Sequence, residues 1–135
     1  MAWSLAPFTV PGKQGNLMQN VVILILAAPE TQEGLGQLYH ALETAQDLQN
    51  HGVPVSIYFE GSGIRWLPEL LDPGSNLHPL YRQVANSVRG ACAFCARAYG
   101  LEEKLKEIAF PLISEHDGHP SVARMILNNA SILVY

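Results

Sequence analysis

"NVVILILAA", at positions 20–28, decides the fold of this chain. Its residues are apolar or β-branched at odd and even positions alike, so neither face of an extended segment can point at water. That pattern predicts a central strand covered on both sides, as in a parallel α/β sheet. The eight apolar residues at 21–28 are far short of the roughly 20 that a membrane-spanning helix needs.

Downstream, "PETQEG" breaks the strand. In "LGQLYHALETAQDLQNHG", Leu35, Leu38, Tyr39, Leu42, Ala45 and Leu48 recur at helical spacing, and Gly52 supplies the stop. "VPVSIYFEG" alternates Val53, Val55, Ile57 and Phe59, which predicts a second strand ending in the loop "EGSG". The three elements make a βαβ unit, expected to cross over right-handed. "IRWLPELL" and "HPLYRQVANSV" flank the turn "DPGSN" and predict a short helical piece, a surface loop and a helix.

A third strand is expected at 88–92, a helix in "LEEKLKEIA" stopped by Pro111, and a fourth strand in "PLISE". "HPSVARMILNN" predicts a helix starting at Pro120 or Ser121, and "SILVY" a last strand. Strands alternating with helices at this spacing predict a three-layer α/β/α sandwich with a mostly parallel sheet of about five strands. Upstream, "PGKQGN" is linker-like, so residues 1–16 are expected to form an arm and 17–135 a single domain.

The 135 residues are 48% hydrophobic and 15% charged, enough apolar material for one core and thin in the charge that covers a surface. Part of that surface is expected to be buried against other subunits. A net charge of −4, with eight Lys plus Arg scattered singly, offers no basic stripe to neutralise phosphates, so nucleic acid is not an expected partner. The start has no basic residue ahead of an apolar core, and Pro7 and Pro11 interrupt it, unlike a secretory signal. The expectation is a reducing cytoplasm, with Asn129 of "NAS" a chance sequon.

The only two cysteines lie in "GACAFCARAYG", at 90–100. In open α/β sheets reactive groups gather beyond the carboxyl ends of the strands. Cys92, at the end of the third strand, would meet free amides there, which favour the thiolate, and Arg97 would add positive charge. Apolar Ala91, Ala93, Phe94 and Ala96 pull the other way by desolvation. Packing is the competing reading, because free cysteine is among the most buried residue types, and it fits Cys95 better than Cys92. With His116 and His119 the pair also makes a two-thiolate, two-imidazole zinc set, although "HDGH" is spaced more tightly than zinc-finger histidines. A thioredoxin-type switch is a further reading, with "AF" in place of the usual spacers.

Glu30 and Thr31, with Ser62 and Gly63, fall on loops after the first two strands and are expected on the same rim as Cys92, where Ser62 and the glycine amides can bind an anion. Turn formation explains "GSG" equally well. His119, ahead of Pro120 at a helix start, can act as an acid near the site or serve the turn. Trp66 and Leu67 read as core or interface.

On the apolar first strand, the helix after "PETQEG", "YFEGSGI" and above all "GACAFCARAYG", the chain resembles the DsrE/DsrF-like family, which includes sulfur-relay TusD-like proteins; the similarity spans about 20–135. Cys92, eight residues before Gly100, falls where members with a reactive cysteine carry it, and Cys95 matches a second cysteine found in part of the family. The resemblance implies a cytoplasmic homo-oligomer (dimer, trimer or hexamer) or hetero-oligomer, a sulfurtransferase-like carrier that takes sulfane sulfur as a persulfide on Cys92. It implies donor and acceptor proteins or small persulfides as partners and no cofactor. Cys95 would then attack the persulfide, releasing sulfide and leaving a disulfide, or would pack. The competing expectations are a non-catalytic oligomeric or regulatory protein on the same fold and a Cys/His zinc-stabilised module.

Overall fold

The computed structural model describes residues 19–135; the arm expected at 1–16 lies outside them. Five strands, β1 (Asn20–Ile25), β2 (Val55–Phe59), β3 (Val88–Cys92), β4 (Leu112–Ile113) and β5 (Ala130–Val134), form a sheet in the order β4-β3-β2-β1-β5. Every pairing is parallel, so the expected mostly parallel sheet is wholly so. The helices between the strands are α1 (Gln32–Asn50), α2 (Leu67–Leu70), α3 (His78–Val84), α4 (Ala93–Ala98), α5 (Glu102–Glu107) and α6 (Val122–Leu127). A 3₁₀ segment, Gly61–Trp66, leads into α2.

The two-sided character of β1 has a direct cause. Val21, Ile23 and Ile25 pack with Leu38, Ala41, Leu42 and Ala45 of α1, while Val22 and Leu24 meet Met125 of α6 on the other face. Burying a side chain of this size removes it from water at a gain of about 1.5–3 kcal/mol. The strand stops at Ile25, short of its apolar run, because the N–H groups of Leu26 and Ala27 both donate to the Tyr135 carbonyl, at 2.7 and 3.2 Å, which turns the chain out of the ladder.

In α1 the buried stripe is Gly34, Leu38, Ala41, Leu42 and Ala45. Leu35 and Tyr39, expected inside, are exposed. Small residues at 34, 41 and 45 let the helix lie close to the sheet, and its two bulky neighbours are left at the edge of the contact. Trp66 and Leu67 are core, as one of their two expected roles had it, with the Trp66 indole N–H donating to the Ala27 carbonyl at 2.8 Å.

The two faces are covered unequally. Among the described residues, helices α1 to α5 all contribute buried residues to one face, and α6 is the helix that contributes to the other. Val122, Ile126 and Leu127 of α6 and Val134 of β5 remain exposed. Among the described residues no helix is long and apolar enough to cross a membrane. Because all strands run the same way, their carboxyl ends share one rim, and the loops after β1, β2 and β3 meet there.

Candidate functional site

Strand β3 runs into α4 with no loop between them. Cys92 is both the last strand residue and the N-cap of the helix, with φ −59° and ψ 121°, and its Sγ accepts the N–H of Cys95 at 3.4 Å. A capping side chain bonds the amide of the third helical residue, and that residue is the second cysteine. The two-residue spacer of the pair is therefore the spacing of a helix cap. Cys95 Sγ in turn accepts the N–H of Gly61, at 3.2 Å, from the loop after β2. Both cysteines are free; Cys92 is fully buried and Cys95 half-buried.

The third member arrives on a turn. His116 and His119 face each other across Asp117 and Gly118, whose φ values of +48° and +87° are the positive pair that a type I′ turn requires. Phe94 of α4 holds this turn in place: its N–H donates to the Gly118 carbonyl at 2.9 Å, and its ring lies 4.7 Å from that of His119. A Cβ at Gly118 would come within 3.2 Å of Phe94 Cβ, so glycine also permits the close approach. His119 Nδ1 ends 3.1 Å from Cys92 Sγ. The two sulfurs and an imidazole nitrogen of His119 all lie within 4.8 Å of one another.

Burial dominates the electrostatics. It pushes the Cys92 thiol up to about 12, against the opposing pull of the Cys95 N–H, and the nearby Glu60 carboxyl pushes the same way. Burial also raises the Glu60 carboxyl above its ordinary range, while His119 draws it down. The resting site holds a neutral Cys92 thiol beside the His119 imidazole.

The other expected site residues are engaged elsewhere. Glu30 is ion-paired with Arg65, and Thr31 caps α1 by accepting the Gly34 N–H at 2.9 Å. The Ser62 and Tyr99 hydroxyls are 2.9 Å apart. Gly63 is a packing point, since a Cβ there would stand 1.9 Å from the Ile25 carbonyl oxygen. Arg97, expected to lend its charge to Cys92, gives it to Glu102, whose carboxylate is 2.9 Å from Nε. His116 is turned to solvent, its Nε2 3.8 Å from the Asp117 carboxylate. The structure thus gathers Cys92, Cys95 and His119, and keeps His116 out.

Sequence reasoning took Phe94 only as an apolar neighbour of the thiol and did not single out Glu60. Phe94 orients His119, and Glu60 shares with His119 and His116 a groove of about 470 Å³ also lined by Pro120 and Ser121. The signal for Glu60 was its place, one residue past β2 on the rim that also ends β3. A separate pocket of about 300 Å³, lined by residues such as Pro68, Leu71 and Leu105, has no thiol or imidazole in its walls.

No family model matches the sequence, and no curated protein does. Among solved structures the chain is similar to a conserved protein of unknown function from Bacteroides thetaiotaomicron, with a TM-score of 0.61 and 14% identity over 93% of this chain and 100% of that one. It is also similar to the ychN protein from E. coli, with a TM-score of 0.59 and 18% identity over 87% of this chain and 100% of that one. Both are DsrE-like in fold. At these identities the likeness establishes the fold alone: a five-stranded parallel α/β sandwich of DsrE-like type, with a Cys-Cys-His cluster at its rim.

Proposed function

We propose that the protein is a small sulfur carrier that accepts sulfane sulfur on Cys92 as a persulfide and passes it to a partner, a sulfurtransferase-like activity in a reducing compartment. The reading is carried by the 3.1 Å approach of His119 Nδ1 to a fully buried Cys92 sulfur. As Cys92 attacks the outer sulfur of a donor R–S–SH, its proton moves to His119. The donor S–S bond breaks, and R–S⁻ leaves with that proton as R–SH. One S–S bond is lost and one gained, so no oxidant or reductant is consumed. The Cys95 N–H steadies the thiolate in passing, and the apolar shell keeps water from the persulfide. Transfer onward is the same step reversed, with an acceptor thiol attacking. Cys95, half-buried beside it, is placed to attack the Cys92 persulfide, releasing sulfide and leaving a disulfide.

Self-association belongs to the same reading, supported by the exposed Val122, Ile126 and Leu127 of α6 and Val134 of β5. The test of function is intact mass after reduced protein meets glutathione persulfide. Cys95→Ser, which lacks the second thiol, gains one sulfur atom, and Cys92→Ser, shown folded by circular dichroism, gains none. No gain in Cys95→Ser, or an equal gain in Cys92→Ser, overturns the proposal.

A further inference from the structure

The rim cluster also has the make-up of a metal site, and that reading does not depend on sulfur transfer. We propose that Cys92, Cys95 and His119 bind one zinc ion, with the fourth position left to water or a small ligand.

The donor set is two thiols and one imidazole, which is the set of open zinc sites that keep a place for an exchangeable ligand. Zinc–sulfur bonds of about 2.3 Å and zinc–nitrogen bonds of about 2.0–2.1 Å, at tetrahedral angles, set two thiolates about 3.8 Å apart and each about 3.6 Å from the nitrogen. In the structure the donor atoms of the three residues all lie within 4.8 Å of one another, and Cys92 Sγ is 3.1 Å from His119 Nδ1. Opening that last distance by about half an ångström admits the ion.

The surroundings serve coordinated sulfur. Each sulfur already accepts a backbone N–H, Cys92 from Cys95 at 3.4 Å and Cys95 from Gly61 at 3.2 Å. Amide donors of this kind hold metal-bound thiolates in place. The Phe94 ring and the Gly118 carbonyl bond fix the imidazole in the same way. Binding exchanges two thiol protons, released to buffer, for one Zn²⁺. His119 also lines the groove that holds Glu60, which offers a route to solvent for the fourth ligand. His116 stands apart from the cluster, so the site is not the four-ligand Cys₂His₂ set that the sequence suggests.

The experiment titrates reduced full-length protein with Co²⁺ under anaerobic conditions, then displaces it with Zn²⁺. The expected result is one Co²⁺ per chain, with tetrahedral d–d bands and sulfur-to-metal charge transfer, both erased by stoichiometric Zn²⁺. Cys95→Ser halves the charge transfer and weakens binding at least tenfold, His119→Gln weakens it similarly, and His116→Gln leaves it unchanged. Circular dichroism confirms that each variant is folded. A wild type showing no charge-transfer band, or binding that survives His119→Gln and is lost in His116→Gln, overturns the site. Sulfur loading is read by mass on metal-free protein, so failure of one reading is distinguishable from failure of the other.

Discussion

Two stretches of the same rim carry the residues that the sequence nominates, and they do opposite things. After β1 and β2, Glu30, Thr31, Ser62 and Gly63 are bound up in an ion pair, a helix cap, a hydroxyl contact and a backbone approach. After β3, the chain turns directly into a helix and leaves a thiol facing an imidazole brought in from the turn before α6. The same strand-end position thus builds structure where polar groups satisfy one another and builds chemistry where burial sets a thiol against an imidazole and a helix-capping amide.

That contrast is sharpest at Gly63. Gly63→Ala forces its Cβ against the Ile25 carbonyl and should cost about 3 kcal/mol, read from the urea midpoint. A loss below about 0.5 kcal/mol would show that the first half of the rim is not rigid packing. On the other half, His119→Gln should slow persulfide formation about 100-fold, as loss of a proton-transfer partner does, while thermal stability stays within about 1 kcal/mol. An unchanged rate would reduce His119 to a turn residue.

A pH series comes next. Cys92 is neutral when protonated and its folded-state value is raised from 9.0 to about 12, so the folded chain keeps a proton that the unfolded chain releases. Its contribution is complete below about pH 9 and falls as pH rises from there toward 12. At pH 10 the loss attributable to Cys92 should be about 1.4 kcal/mol, measured as the difference in pH dependence between the wild type and Cys92→Ala. Parallel curves would mean that the thiol is not sealed. The smallest effect is Thr31→Ala, which removes the α1 cap for about 1 kcal/mol and should leave sulfur loading untouched. A loading defect there would return Thr31 to the site.

Much of the fold was legible because β1 is apolar on both faces and β2 alternates, and these patterns report burial directly. Val88–Cys92 forms the expected strand, and Ser121 caps α6 where a start was expected. The site was only half legible. Cys92 and His119 were visible as residue types, but their meeting depends on a type I′ turn docked on Phe94, a contact between residues 25 apart that no periodicity encodes. Glu30, Thr31, Ser62 and Gly63 read as rim residues, with the glycine-bracketed serine an anion binder or a turn former, and nothing in that pattern tells that Gly63 is a close-packed point. Arg97 was read from its nearness in sequence to Cys92; helical geometry points it instead toward Glu102.

The central claim is that the buried thiol, not its more exposed neighbour, holds the sulfur. Both cysteines lie between Arg89 and Arg97, so trypsin yields one peptide carrying them. After glutathione persulfide treatment and alkylation, fragmentation of that peptide locates the added sulfur. The account predicts it on Cys92; an added sulfur confined to Cys95 would contradict it.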